Sequence, residues 1–358
     1  MVCAVGTQTR AASPAGGLVV NIQILRFVAA LAVVVAHALD RAGGMLPPGP
    51  ANFGAIGVDI FFVISGYIIT RSGFMRGSRS AAVFAWSRAR RVVPLYWLMT
   101  LPWVAITLAD GSFWIRRLLV TLTFWPALTN RTINPLLEVG WTLCFEMLFY
   151  TGAALVLLAR DRRRAVLILG VLFVLCWGLR AMTGLGAFRF LGNPIILEFA
   201  CGIAIARLQP RIAPRTGIAA LVAGVAAMLA SLWWGYGDIS ESHLTLDGTL
   251  ALKRVAMWGL PSALVVAGAV AMAPWAKGRS ARTLIAGGDA SYALYLVHPL
   301  AILLLAFALA PLPAVAFVPA AILGALAAGL ATHRWVERPL LRMLGARGEL
   351  GAGQAPAR

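Results

Sequence analysis

Arg26 and His37 stand eleven residues apart in the apolar run LRFVAALAVVVAHALD, residues 25 to 40. At 100° per residue, eleven steps are three turns plus about 20°, so both side chains share one helix face, about 16 Å apart along the axis. A charge at the centre of an apolar span costs about 3 kcal/mol on insertion scales, so the pair needs a reason. Arginine offers an anion a fork of donors, and histidine takes up and returns a proton near neutral pH. Together they suit a path that holds an anionic substrate at one depth and does proton chemistry at another. The plainer accounts are a snorkelling arginine and an interhelical histidine bond.

Other polar residues sit where apolar sequence is expected. Asp59 opens the next run, GVDIFFVISGYIIT, at a depth similar to that of His37. There it can fix the histidine tautomer, or simply cap its own helix. Glu146 lies inside EVGWTLCFEMLFY with no cation near it in sequence; a buried carboxylate must be paired, protonated or facing water. Arg88 and Arg91, three apart in WSRARRVVPLYW, share a helix face and suit phosphate, or else mark the cytoplasmic side. Ser65 and Gly66 suit close helix packing. Trp141 reads as an interfacial anchor or a sugar platform, with the anchor the commoner case. His298 precedes Pro299 and is as readily a structural bond to a freed carbonyl as a catalytic group. Glu337 and Arg338 read as a local ion pair or cap.

The elements that must carry these residues are membrane helices. The chain has 358 residues, 60% hydrophobic and only 12% charged, with mean hydropathy +0.84; a soluble domain carries about 25% charged residues. Ten spans are expected, near 22–39, 53–71, 92–109, 138–159, 165–182, 194–208, 216–235, 254–273, 290–310 and 314–336. The stretch 115–128, broken by Pro126, is too short to cross and reads as an interfacial or re-entrant piece. The chain is expected to divide into a flexible tail (1–20), a transmembrane domain (21–340) and a basic C-terminal tail (341–358), with no appended soluble domain expected. The first span is expected to stay in place and not to be cleaved as a signal.

The net charge of +18 does not point to nucleic acid, because the basic residues crowd the short gaps between apolar runs instead of lining one face. With the N-terminus in the cytoplasm, gaps on that side hold the arginines of 71–91, 160–164 and 207–215, then Lys277, Arg279 and Arg282. The outer gaps hold fewer, among them Arg41, Arg116, Arg117, Arg189, Lys253 and Arg254. Both termini are therefore expected in the cytoplasm. Cys3, Cys144, Cys176 and Cys201 show no CxxC spacing, so neither a disulfide framework nor a metal site is expected.

In this order, LRFVAALAVVVAH, GVDIFFVISGYIIT, SRARRVVPLYW, GWTLCFE, DASYALYLVHP and ERP resemble the acyltransferase-3 family of integral membrane acyltransferases. GWTLCFEMLFY looks most like the branch that O-acetylates bacterial exopolysaccharides. The resemblance implies an all-α, ten-span fold in the bacterial inner membrane. It implies acyl-CoA as a donor substrate from the cytoplasm, no permanently bound cofactor, and a carbohydrate or lipid-linked glycan acceptor outside. Arg26 and His37 match the family's arginine–ten residues–histidine pair; Arg88 and Arg91 match its donor-associated pair. The expectation is then that His37 is the general base, Asp59 orients it, and Glu146 assists proton transfer or binds the sugar. Arg26, Arg88 and Arg91 hold the anionic donor. A covalent acyl-histidine step is the alternative. The rival from another class is a transporter or flippase that uses the same residues as a path without chemistry. A membrane glycosyltransferase is disfavoured, because the longer outer loops offer only Asp110, Asp238, Glu241 and Asp247 as acids.

Overall fold

The computed structural model describes residues 14–43, 51–71, 80–309 and 312–345. Among them there is no strand. Ten helices are long and apolar enough to cross a membrane, as expected for a chain whose backbone must satisfy its own hydrogen bonds in lipid. They are α1 Val20–Arg41, α2 Asn52–Ile69, α3 Ala81–Ala109, α4 Glu138–Leu158, α5 Arg162–Thr183, α6 Gly186–Arg211, α7 Pro214–Trp234, α8 Ala251–Ala271, α9 Gly278–Ala308 and α10 Ala314–Met343. Cys3 and residues 346–358 of the C-terminal tail lie outside the described residues. Cys144, Cys176 and Cys201 are unpaired thiols.

Two helices begin well before their hydropathy does. Ser80 accepts a hydrogen bond from the amide of Val83 (3.2 Å) and starts α3 eleven residues ahead of the expected 92. Arg88 and Arg91 therefore stand on a helix and not in a gap. Helix α9 likewise starts at Gly278, ahead of the expected 290, and carries Asp289. The 115–128 stretch forms only the short helix Ile115–Thr123, stopped where Phe124 turns to φ 57°.

Helix α1 is central. It packs on α9 and α2, and also touches α8 and α10, while α7 packs on α8 and α10 on α9. Helix α5 is peripheral, with no buried residue. Close approaches are made with glycine: a Cβ at Gly66 would run into the Phe199 backbone of α6, and one at Gly202 into the Val63 carbonyl of α2. The small-residue reading of Ser65–Gly66 holds for Gly66. At the other end of α1, the amide of Asn21 donates to Ala269 (2.9 Å) and Ala273 (3.0 Å) and accepts from Trp275 (2.8 Å). This fixes α1 to α8 where a polar group in lipid would otherwise go unpaired.

Candidate active site

Two cavities enter the bundle and share a wall. The first, of about 110 Å³, is basic. Arg26 reaches it from α1, Arg88 and Arg91 from α3, Glu146 and Tyr150 from α4, and Ser65 from α2. Arg26 donates to Gln23 (3.0 Å), which in turn donates to Asp289 of α9 (2.7 Å). That chain holds the guanidinium in place and leaves most of its donors toward the cavity. Glu146 accepts from the hydroxyls of Tyr150 and Ser65 and lies within electrostatic reach of Arg26. The cations missing from its own sequence neighbourhood thus arrive from α1 and α3. Glu337 bonds to His333 (2.7 Å) across a π-helical turn, so it is a local pair, with His333 as the partner in place of Arg338.

The second cavity is wide, about 570 Å³, and His37 lines it with Asp40, Asp110, Glu138, Glu241 and Arg254 among others. Arg26 and His37 therefore do serve different cavities from one helix face, as their spacing requires. His37 Nδ1 lies 2.9 Å from the Val33 carbonyl. A carbonyl only accepts, so Nδ1 carries the hydrogen and Nε2 of the neutral ring is a bare acceptor. Against His37 packs the ring of His298, with centres 4.8 Å apart and planes at 74°. Asp110, exposed at the end of α3, accepts from both the hydroxyl and the amide of Ser112. Those bonds hold its carboxyl below the usual carboxylate range.

The wall is built at Val58 and Tyr295, which line both cavities. The Tyr295 hydroxyl donates to the Val139 carbonyl (2.9 Å) and meets the Thr142 hydroxyl at 3.0 Å. Glu146 opens only into the basic cavity, so the structure does not bring it together with His37.

Asp59 is placed differently from expectation. It is fully buried, and Arg254 takes both its oxygens, at 3.0 and 2.8 Å. It neither orients His37, whose Nδ1 is spent on Val33, nor caps its helix. Arg254 also donates to the carbonyls of Ile239 (2.9 Å) and Ala55 (3.0 Å). Its guanidinium lies between the rings of Trp141 and Trp258, at 5.4 and 5.1 Å. Fully buried Glu198 completes the cluster beside Asp59 and Arg254. Trp141 is thus no interfacial anchor: it is buried at the vestibule wall against this cation.

Sequence reasoning missed four of these residues. Arg254 looked like loop charge, although it heads an apolar run much as Arg26 does. Glu198 is a carboxylate inside PIILEFACG, the same signal that singled out Glu146. Tyr295 and Asp289 precede His298 on α9 and gave no signal of their own.

Comparison with known proteins adds to this arrangement. A family model described as an acyltransferase domain matches residues 19–334. The chain is 33% identical over 321 residues to the exopolysaccharide production protein ExoZ of Rhizobium meliloti (strain 1021), covering 86% of this chain and 94% of that protein. No solved structure matches. With the family model spanning nearly the whole ten-helix bundle, including every helix that lines the two cavities, the chain belongs to the acyltransferase-3 family of integral membrane acyltransferases.

Proposed function

We propose that the protein is an acyl-CoA-dependent O-acetyltransferase of the bacterial inner membrane. It moves acetyl from cytoplasmic acetyl-CoA to a hydroxyl of an extracytoplasmic or lipid-linked polysaccharide. The observation that carries this reading is the meeting of an arginine-lined cavity and a histidine-lined vestibule at one wall, Val58 and Tyr295. The name of the Rhizobium relative supports a polysaccharide acceptor.

Arg26, Arg88 and Arg91 receive the phosphates of coenzyme A, for which guanidinium forks are suited. Glu146, held by Tyr150 and Ser65, spaces the arginines on the donor side. The thioester end reaches the Tyr295 wall, and the sugar enters from the vestibule. Nε2 of His37 takes the hydroxyl proton as the oxygen bonds to the thioester carbonyl carbon. The carbon–sulfur bond breaks, and the thiolate takes the proton back from His37 to leave as free coenzyme A. Asp59 acts at one remove, by holding Arg254 and Trp141 at the vestibule wall.

The test is release of free thiol from acetyl-CoA by the purified protein, with and without polysaccharide, together with transfer of labelled acetyl to the glycan. Acceptor-dependent thiol release is expected. Labelled acetyl or glycan crossing a sealed vesicle with no thiol released would replace the reading with transport.

A further inference from the structure

His298 is completely buried, yet half of its hydrogen-bonding capacity is unused. Its Nδ1 lies 3.2 Å from the Leu294 carbonyl of its own helix. Nδ1 must therefore be the donor, and Nε2 bears a lone pair. That Nε2 has no partner among the described residues. An unmatched buried acceptor is destabilising, a cost a purely structural histidine avoids by turning its ring or by being replaced. The His37 ring of α1 packs edge-on against this ring, with centres 4.8 Å apart and planes at 74°. Tyr295, the wall residue, closes the other flank, with ring centres 5.9 Å apart.

We propose that His298 is a positioning residue for acyl transfer: its Nε2 lone pair stabilises the positive charge that His37 carries while it holds the hydroxyl proton. This rests on the reading of His37 as general base. The hydroxyl O–H breaks and its proton goes to His37 Nε2. The oxygen–carbon bond forms, the carbon–sulfur bond breaks, and the thiolate takes the proton from His37. His298 is not protonated at any step. It faces an imidazolium for the interval between the two transfers, and an outward lone pair is the negative end of its ring dipole. The cost of the empty acceptor in the resting protein is offset where the charge appears, as in other preorganised electrostatic sites.

The test compares His298→Phe with His298→Gln in the full-length protein in nanodiscs. Phenylalanine keeps a ring against His37 and removes the lone pair; glutamine loses the ring but keeps an acceptor oxygen. His298→Phe is expected to lower kcat at least ~10-fold with KM for acetyl-CoA and for acceptor within about 2-fold, and His298→Gln to recover part of that loss. A second readout needs no acetyl transfer. Carbethoxylation of His37 by diethyl pyrocarbonate also builds positive charge on the imidazole, so its rate, followed by mass spectrometry, should fall in His298→Phe and recover in His298→Gln. Wild-type kcat in His298→Phe overturns the proposal, as does equal impairment of both variants or an unchanged carbethoxylation rate. If the wild-type protein transfers no acetyl to any acceptor, the proposed function fails, and the carbethoxylation rates alone still decide the role of His298. His298→Leu serves as the acceptor-free variant if the phenylalanine protein does not fold.

Discussion

His37 lines the vestibule and is held by one bond to its own helix, which leaves the ring's other nitrogen unspent. Loss of a general base commonly costs about 10²–10⁴ in rate. His37→Ala should abolish measurable transfer at near-normal expression. His37→Gln separates chemistry from packing: glutamine can hydrogen-bond across helices but cannot take a proton at neutral pH. It should be as inactive as alanine in the thiol-release assay, whereas a structural histidine would be rescued. On the donor side, Arg91→Ala should raise KM for acetyl-CoA more than Arg91→Lys, because lysine keeps the charge and loses the fork. Equal donor dependence in both variants and wild type would return Arg91 to a purely topological role.

At the scale of elements, the buried Asp59–Arg254 pair ties together α2, α8 and the loop carrying Ile239. Removing one partner of a buried pair leaves the other charge uncompensated and costs about 3–5 kcal/mol. Arg254→Ala should therefore lower the thermal unfolding midpoint in detergent far more than Arg91→Ala, because Arg91 is only half-buried and stands outside that pair. Asp59→Asn combined with Arg254→Gln should recover part of the loss, because the two amides can bond each other. An Arg254→Ala protein as stable as wild type would remove this account of the vestibule wall. The same pair marks the limit of what the sequence made legible. The number of spans, their order and the shared face of Arg26 and His37 follow from apolar length and helical periodicity, which are local properties. The basic cavity was legible through Arg88 and Arg91 once their helix was granted, although arginine's hydropathy hid the first turns of α3. The partner of Asp59 lies 195 residues away, and no periodicity reports a contact of that separation. Proximity in depth suggested His37 instead. Glu146 was likewise recognised as out of place; Tyr150, one turn on in the same helix, is a local partner, while Ser65 and the cavity required the packing of α2 against α4.

For the whole molecule, the proposed direction of transfer depends on which end of the bundle faces the cytoplasm. The basic cavity must face the coenzyme, and the wide vestibule must face the glycan. The uneven distribution of lysine and arginine along the sequence supports that orientation: the arginines of 71–91, 160–164 and 207–215 mark every second connection, the side from which a cytoplasmic donor would enter. Ser240 lines the His37 vestibule, and Ser78 belongs to the basic connection between α2 and α3. Single cysteines at these two positions, introduced after the native cysteines are replaced, give opposite expectations for a membrane-impermeant maleimide added to intact spheroplasts. Cysteine at 240 should label and cysteine at 78 should not, until the membrane is permeabilised. The mechanism requires this pattern, because a vestibule open to the cytoplasm would bring donor and His37 to the same side and leave the arginine cavity facing a compartment without coenzyme A. Labelling at 78 with protection at 240 would therefore overturn the direction of transfer, while leaving the ten-helix fold and the pairing of the two cavities as described.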